Sequence, residues 1–471
     1  MLGLASYGAY IPLYRLSRDV LSQFWGTTTI KGERAVSNFD EDSLTMGVEA
    51  AVDCLHDINR ELVDGLYYSS TTPPYNGKES ASILAAAADL RRDIFTADFS
   101  SSVRAGSSAL RAAINAVGSG SAKRVLIVSS DLRVPAPGSE HESLFGDGAA
   151  AFLVGDSDIA IAIEGSYSTT SDFMDVWKLE KDVYYRTWED RFVQSVYTQI
   201  VKETVSTLMK KYNCTPKDFA KAVFYGPDPR THLATARALG FDPKTQVQDP
   251  MFSLVGNAGC ALAPMMLVAA LEEARAGDMI LFASYGDGCD AYILKVTDEI
   301  EKIRDRRGIK HHLESKAMLP GYASYLRFRN MMEWEFDLRP PDTSSLTLLW
   351  RESDQILRFR GQKCRRCGTI QYPKQYVCVH CQARGDFEEI RLSDKKGKLF
   401  SFSMDERAKV PVLPNVLSIV DFEGGGRFSS VMTDRDPQQL KVGMPVELTF
   451  RKMHEGSGIH NYYWKCRPVR C

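Results

Sequence analysis

Four cysteines fall in the pattern C-x2-C-x10-C-x2-C: Cys364, Cys367, Cys378 and Cys381. Each pair suits a tight turn that aims two sulfurs at one ion, and two such turns make the tetrahedral thiolate set that zinc prefers. With all four positions supplied by protein, the expected role is structural. His380, between two of the ligands, is an alternative ligand. Thiol-disulfide chemistry at the C-x-x-C pairs is another alternative, and it lacks its usual βαβ setting. A second stretch has the layout of a nucleophile mount: residues 97–110 read ADFSSSVRAGSSAL, a β-leaning lead-in, a run of serines, then a small-residue helical stretch. A helix N-terminus favours the negative charge that develops on a nucleophile there. The turn presents Val103, which can do no such chemistry. Ser100, Ser101 and Ser102 precede it, and no nearby histidine motif would activate them, so they read as small polar turn fillers.

The elements that must position these groups alternate along the first 296 or so residues. GLYYSS, RVLIVSSD, AAAFLVGD, KAVFYG and DMILFASYG predict strands, separated by SLTMGVEAAVDCL, SSALRAAINAV and LAPMMLVAALEEARAG, whose apolar residues recur at helical spacing. That alternation predicts a layered α/β fold. The similar order of elements in the two halves points to an internal duplication. The charge run TDEIEKIRDRRGIKHH predicts a solvated helix. RPPDTSS, residues 339–345, reads as a linker. The expected division is 1–338, linker 339–345, zinc ribbon 346–385 and barrel 386–471. In the last part KLFSFSM, NVLSIVDF, RFSSVMT, PVELTF and YYWKCRPV predict the short strands of a small β-barrel.

Composition narrows the partners. The chain has 471 residues, 44% hydrophobic and 25% charged, with a formal net charge of -2. Such a balance leaves no electrostatic footprint for nucleic acid or an anionic membrane, so small molecules or proteins are the expected partners. No apolar run approaches the roughly 20 residues that span a bilayer, and the opening MLGLASYGAYIPLYRLSRDV is unlike a secretory signal. A cytoplasmic location is expected, as is a reducing compartment for the ten cysteines.

ERAVSNFDEDSLTMGVEAA, FGDGAAAFLVGD, VGNAGCALAP, GDMILFASYGDGCDA and GYASYLRFR together resemble the thiolase superfamily, and within it the hydroxymethylglutaryl-CoA synthases of archaeal type. The resemblance covers residues 1 to about 335, and the remainder resembles the zinc-ribbon plus OB-fold modules that accompany thiolase-like enzymes. It implies a five-layered αβαβα fold followed by a zinc ribbon and an OB-type barrel, an acyl-CoA substrate, and a homodimer formed through the thiolase-like domain.

Carried over position by position, the resemblance places the nucleophilic cysteine at Val103, between Asp98 and Arg104-Ala105-Gly106, and the histidine of H-x-P at Tyr225 in FYGPDPR. The acidic residue of the synthases is expected near Thr71 and Thr72, where no Glu stands. Asn257 of the G-N motif remains, Tyr285 in SYGDG is placed near the same pocket, and Arg230 matches a basic residue that meets a CoA phosphate. Two phenols and an asparagine suit aldol or retro-aldol cleavage of a β-hydroxyacyl-CoA without an acyl-enzyme, a reaction resembling that of thiolase-like proteins of steroid side-chain degradation. The alternatives are a synthase-like acyltransferase using Cys260 as a displaced nucleophile, and a non-catalytic acyl-CoA-binding scaffold. Tyr225 also reads as an ordinary core aromatic and Cys260 as a small buried hydrophobe. His232 is assigned no role.

Overall fold

The structure, a computed structural model, describes residues 1–28, 30–179, 181–332 and 342–470. Two compact units account for them. The first comprises Met1–Ser37, Asp42–Ser82 and Arg91–Tyr325. Its strands and main helices run β1 (Gly3–Tyr10), α1 (Ser43–Cys54), β2 (Gly65–Ser69), β3 (Phe95–Phe99), α2 (Ala105–Gly118), β4 (Arg124–Asp131), β5 (Gly148–Gly155) and β6 (Ile161–Thr170). They continue with α3 (Asp190–Lys211), β7 (Lys221–Phe224), α4 (Pro229–Leu239), α5 (Leu262–Glu273), β8 (Met279–Tyr285) and β9 (Gly288–Val296). The strands make one sheet in the order β7-β8-β9-β6-β1-β5-β4-β2-β3.

Its two halves repeat one pattern. From β1 outward, β5 and β4 follow antiparallel and β2 and β3 parallel. From β6 outward, β9 and β8 follow antiparallel and β7 parallel, and Val247 adds a parallel bridge to Ala222 of β7. In the sheet the halves join where Gly3 and Leu4 face Ala162 and Ile161. Helix α1 covers β1, β4 and β5, and α3 covers β6, β8 and β9, while α5 packs against strands of both halves and α2 against β2 to β5. This is the five-layered αβαβα thiolase arrangement. Helix α5 fits the middle layer because LAPMMLVAALEE is apolar on almost every side; Leu262 to Val268 are all buried.

Two expectations change. The charge run at 297–312 is two short helices, Asp298–Ile303 and Gly308–Glu314, broken where Gly308 takes φ 57°, and Ile300, Ile303 and Ile309 are buried. The lysine and arginine run hides an apolar face that anchors it, so it is only half solvated. Of the expected linker 339–345, residues 339–341 lie outside the described residues, and a helix follows at Leu346–Arg351.

The second unit comprises Asn38–Glu41, Ile83–Leu90 and Leu326–Cys471. A three-stranded sheet, β10 (Arg360–Cys364), β11 (Ile370–Gln371) and β12 (Phe387–Arg391), carries the C-x-x-C turns. A five-stranded sheet follows: β13 (Gly397–Asp405), β14 (Asn415–Phe422), β15 (Arg427–Val431), β16 (Pro445–Gly456) and β17 (Ile459–Pro468), in the order β15-β14-β13-β16-β17. Inside this unit lies a cluster of fully buried charges. Arg451 pairs with Glu41 and Asp434 at 2.5 Å each, and Lys465 with Asp40 at 2.8 Å. Asn38 donates to Asp434 at 2.9 Å. Desolvation makes such pairs expensive to assemble, and removal of one member far more so, because the others stay buried and unpaired.

Burial pushes the Asp40 carboxyl up, but the Lys465 and Arg451 charges outweigh it and hold the group below its ordinary value. A carboxyl whose native pKa is depressed adds stability above its unfolded value, about 3.9, and loses it as the pH falls through the native value. Native-state hydrogen exchange in β16 and β17 is therefore expected to lose protection below about pH 4. Asp40→Asn should lower that protection at pH 7 by about 3–5 kcal/mol and flatten its pH dependence.

Candidate active site

At the end of β4, where α/β sheets present their chemistry, Asp131 is buried completely. It accepts five hydrogen bonds: from Ser70 Oγ (3.0 Å), Thr71 N (2.7 Å), Thr71 Oγ1 (2.9 Å), Thr72 Oγ1 (3.2 Å) and Cys260 N (2.8 Å). Thr71 and Thr72, near which the resemblance expects an acidic residue, thus serve as donors to a carboxylate from another strand. With every oxygen engaged, it holds the site together rather than reacting. Gly259, at φ 58°, is required beside it, since a Cβ there would lie 2.2 Å from Asp131 Oδ2.

Asn257 sits two residues before Gly259 with its amide fully used. Its Oδ1 accepts from Gly259 N at 3.0 Å, and its Nδ2 donates to Tyr225 Oη at 3.0 Å and to the Pro227 carbonyl at 3.3 Å. Tyr225 follows β7 and is buried. Burial pushes its phenol up, opposed by the charge of Arg133 beside it. Its ring stacks with that of Tyr285 at 6.3 Å between centroids, and Tyr197 meets Tyr285 edge-on at 4.9 Å. Burial, with the Asp175 charge second, pushes the Tyr285 phenol far up, and the two groups share a hydrogen bond. Burial likewise raises the Asp175 carboxyl, against hydrogen bonds that include Tyr285.

The serine turn lies against the same loop. Ser101 takes φ 73°, and Val103 packs on the core at the entry to α2. Gly286, next to Tyr285 and at φ 151°, is pressed so close that a Cβ would fall 2.9 Å from Val103 Cγ2 and 2.7 Å from Arg104 N. At Gly106 a Cβ would fall 3.1 Å from the Cys260 carbonyl oxygen. Val103, Asn257, Tyr225 and Tyr285 are therefore brought into one region, with the Cys260 backbone at its edge; a cavity of about 410 Å³ beside Ser100 and Ser101 is lined by none of them.

Cys260 itself turns away from this region. Its thiol, 1% exposed, reaches the Ser69 carbonyl at 3.5 Å. Burial and then the Asp131 charge push it well above the ordinary thiol range. That environment keeps it protonated, which is opposite to what a nucleophile needs. Asp228 caps α4 through Arg230 N and Thr231 N, each at 2.9 Å, so the Arg230 backbone is fixed while its side chain is exposed. His232 is buried within α4, where burial lowers its pKa to about 4.

In the second unit the sulfurs of Cys364, Cys367, Cys378 and Cys381 all lie within 4.8 Å of one another, with Cys364–Cys381 and Cys367–Cys378 at 3.6 Å. A tetrahedron with Zn–S of about 2.3 Å has an edge of about 3.8 Å, so the set fits zinc with no position left open. His380 is not part of the cluster.

Comparison with known proteins agrees with this architecture. Residues 97–171 match the family described as 3-oxoacyl-[acyl-carrier-protein (ACP)] synthase III. Residues 351–388 match the rubredoxin-like zinc ribbon domain of ChsH2, and 389–451 its C-terminal OB-fold domain. The chain is 32% identical over 334 residues to the hydroxymethylglutaryl-CoA synthase of Thermococcus onnurineus, covering 69% of this chain and 95% of the relative. That of Methanopyrus kandleri is 31% identical over 344 residues, 70% and 98% of the two chains. The chain belongs to the hydroxymethylglutaryl-CoA synthase family. In fold it resembles an HMG-CoA synthase solved in complex with CoA (TM-score 0.64, 18% identity, 73% of this chain and 94% of that one). It likewise resembles the 3-oxoacyl-[acyl-carrier-protein] synthase III of Aquifex aeolicus (TM-score 0.56, 21% identity, 63% and 100%).

Within this family member, Asp131, Arg133, Asp175 and Tyr185 were not singled out by sequence reading. The signal for the first was present: RVLIVSSD is an apolar strand that ends in polar residues at its carboxyl end. The other three join the site only through loops whose path no local pattern announces.

Metal analysis of the purified chain is expected to find one zinc, and Cys378→Ser to lower the melting temperature of the second unit before that of the first. Less than half an equivalent of any metal would reject the site.

Proposed function

We propose that this member of the hydroxymethylglutaryl-CoA synthase family makes or breaks a carbon-carbon bond beside an acyl-CoA thioester without forming an acyl-enzyme, by aldol or retro-aldol chemistry on a β-hydroxyacyl-CoA. The observation that carries the reading is Val103 at the mouth of α2, with Tyr225 and Tyr285 stacked nearby and Asp175 behind them. In the cleavage direction the substrate hydroxyl gives its proton to Tyr285 as Tyr285 passes its own to Asp175. The Cα–Cβ electron pair moves into the thioester, and the enolate oxygen accepts a hydrogen bond from Tyr225, whose O–H is free to donate because its oxygen already accepts from Asn257. The proton then returns to Cα, leaving a carbonyl compound and a shorter acyl-CoA. Asn257, with its amide spent on Tyr225, Pro227 and Gly259, is a positioning residue. Arg230 is proposed to meet a CoA phosphate.

The curated relatives favour a second reading, a synthase-like acyltransferase, since both are named hydroxymethylglutaryl-CoA synthases. It requires an acyl carrier, and the thiol left for that, Cys260, is buried and held protonated. We also propose a homodimer through the first unit, at the edge strand β3, where Phe95 is 67% exposed, and a cytoplasmic location. No helix among the described residues is long and apolar enough to cross a membrane.

Incubation with acetyl-CoA followed by intact-mass analysis should show no covalent adduct. Tyr225→Phe should lower the release of carbonyl product from a β-hydroxyacyl-CoA by about 10²-fold or more, and Val103→Cys should not raise it. An adduct on Cys260 would establish the acyltransferase instead, and binding of acyl-CoA with no turnover of any thioester would leave a scaffold.

A further inference from the structure

The phenols that the proposed reaction needs are covered. Tyr225 is 6% exposed and Tyr285 3%, so a thioester cannot lie against both without displacing a neighbour. Two of those neighbours belong to one small element. Between the end of β6 and the start of α3 the chain folds back on itself, and Val176–Trp177 pairs antiparallel with Arg186–Thr187. Asp175 stands immediately before the first of these strands and Tyr185 immediately before the second. Asp175 shares a hydrogen bond with Tyr285. Tyr185 lies 3.2 Å from Thr71 between hydroxyls, is hydrogen-bonded by Arg133 and places its ring centroid 4.5 Å from that guanidinium.

The hairpin strands pair with each other and stand outside the nine-stranded sheet. A two-stranded ladder this short is unstable by itself. The outer side chains face water: Met174 is 60% exposed, Val183 66%, and Leu179 and Trp188 57% each. The Trp188 amide donates to the Asp175 carbonyl at 3.2 Å, which ties the two legs together. The inner contacts, with Tyr285, Thr71, Arg133 and Phe145, are contacts with the site itself. Segments held in this way open at low free energy. Resting on the acyl-CoA reading above, we infer that this hairpin is a lid: it opens to admit the thioester, and its closing brings Asp175 to Tyr285. Tyr285 then has its proton acceptor only in the closed state, and the same closure shuts water out while an enolate exists. Opening breaks the Tyr185–Thr71 contact and returns Asp175 to water, where a carboxylate needs no partner. Closing buries it again, and burial is what raises its carboxyl.

Butyryl-CoA has no β-hydroxyl to be cleaved at, so it reports binding alone. Stopped-flow titration of the full-length protein can follow the fluorescence of Trp177 and Trp188 on the lid. The observed rate should level off with butyryl-CoA concentration, at the opening rate. Tyr185→Phe removes the hydroxyl that meets Thr71 and should raise that plateau about fivefold, the scale of one hydrogen bond. In the wild-type protein, hydrogen exchange at Val176–Trp177 and Arg186–Thr187 should slow by about tenfold or more at saturating butyryl-CoA. Asp175→Asn should still bind butyryl-CoA and cleave a β-hydroxyacyl-CoA about 10²-fold or more slowly. A binding rate that rises linearly throughout, a plateau that Tyr185→Phe leaves unraised, or exchange that butyryl-CoA leaves unchanged would each overturn this inference alone. Wild-type turnover by Asp175→Asn would overturn it as well. Failure of the wild-type protein to bind butyryl-CoA would overturn the acyl-CoA reading and this one with it.

Discussion

Asp131 accepts hydrogen bonds from the loop after β2 and from the turn before α5, while its own backbone ends β4. Three segments far apart in sequence are thereby fixed at one buried charge. The bond from Cys260 N sets the turn that holds Gly259, Gly259 N fixes the Asn257 amide, and Asn257 fixes the Tyr225 hydroxyl. The proton chemistry proposed here therefore hangs on a carboxylate that takes no part in it. A buried carboxylate is tolerable only when its oxygens are all paired, and the demand for donors explains why the loop after β2 opens with Ser70, Thr71 and Thr72.

Much of the fold was legible because strands such as RVLIVSSD are buried on both faces and appear as apolar runs, while NVLSIVDF alternates buried and less buried residues as a one-sided strand does. RVLIVSSD and NVLSIVDF match their strands residue for residue. GLASYGAY, IAIEGSYSTT and GCDAYILKV escaped notice. Their glycines, alanines and serines dilute the apolar signal, and small residues are what a strand at the centre of a layered sheet requires: at Gly3 a Cβ would fall 2.1 Å from the Ile161 carbonyl oxygen, and at Gly8 2.3 Å from Cys54 N. The site was legible differently. Val103, Tyr225 and Asn257 were located by family likeness, and their meeting depends on close approaches at Gly106 and Gly286 that no spacing in the sequence encodes.

Family and site pull in different directions. Identity of about one third over nearly the whole length of curated synthases speaks for shared descent. The side chains that would have to carry an acyl group are a valine at the helix mouth and a thiol facing backbone carbonyls. A fold fixes where a substrate thioester comes to rest, and the few groups around that point fix what happens to it. Here those groups are a valine, two phenols and an asparagine, with the Cys260 thiol turned to a backbone carbonyl.

The charge cluster of the second unit has a bearing on how the chain is made. Asp40 and Arg451 are 411 residues apart. At the usual 5–20 residues per second, the acid leaves the ribosome on the order of half a minute before its base exists. During that interval Asn38–Glu41 must stay hydrated, and the segment Ile83–Leu90, whose Asp89 later pairs with Arg358 and Arg360, must wait as well. The second unit cannot close until Arg451 and Lys465 have been made. Nascent chains of this protein therefore hold an unsatisfied acidic segment while the next 411 residues are made, and termination within that stretch leaves a product with no way to bury those charges.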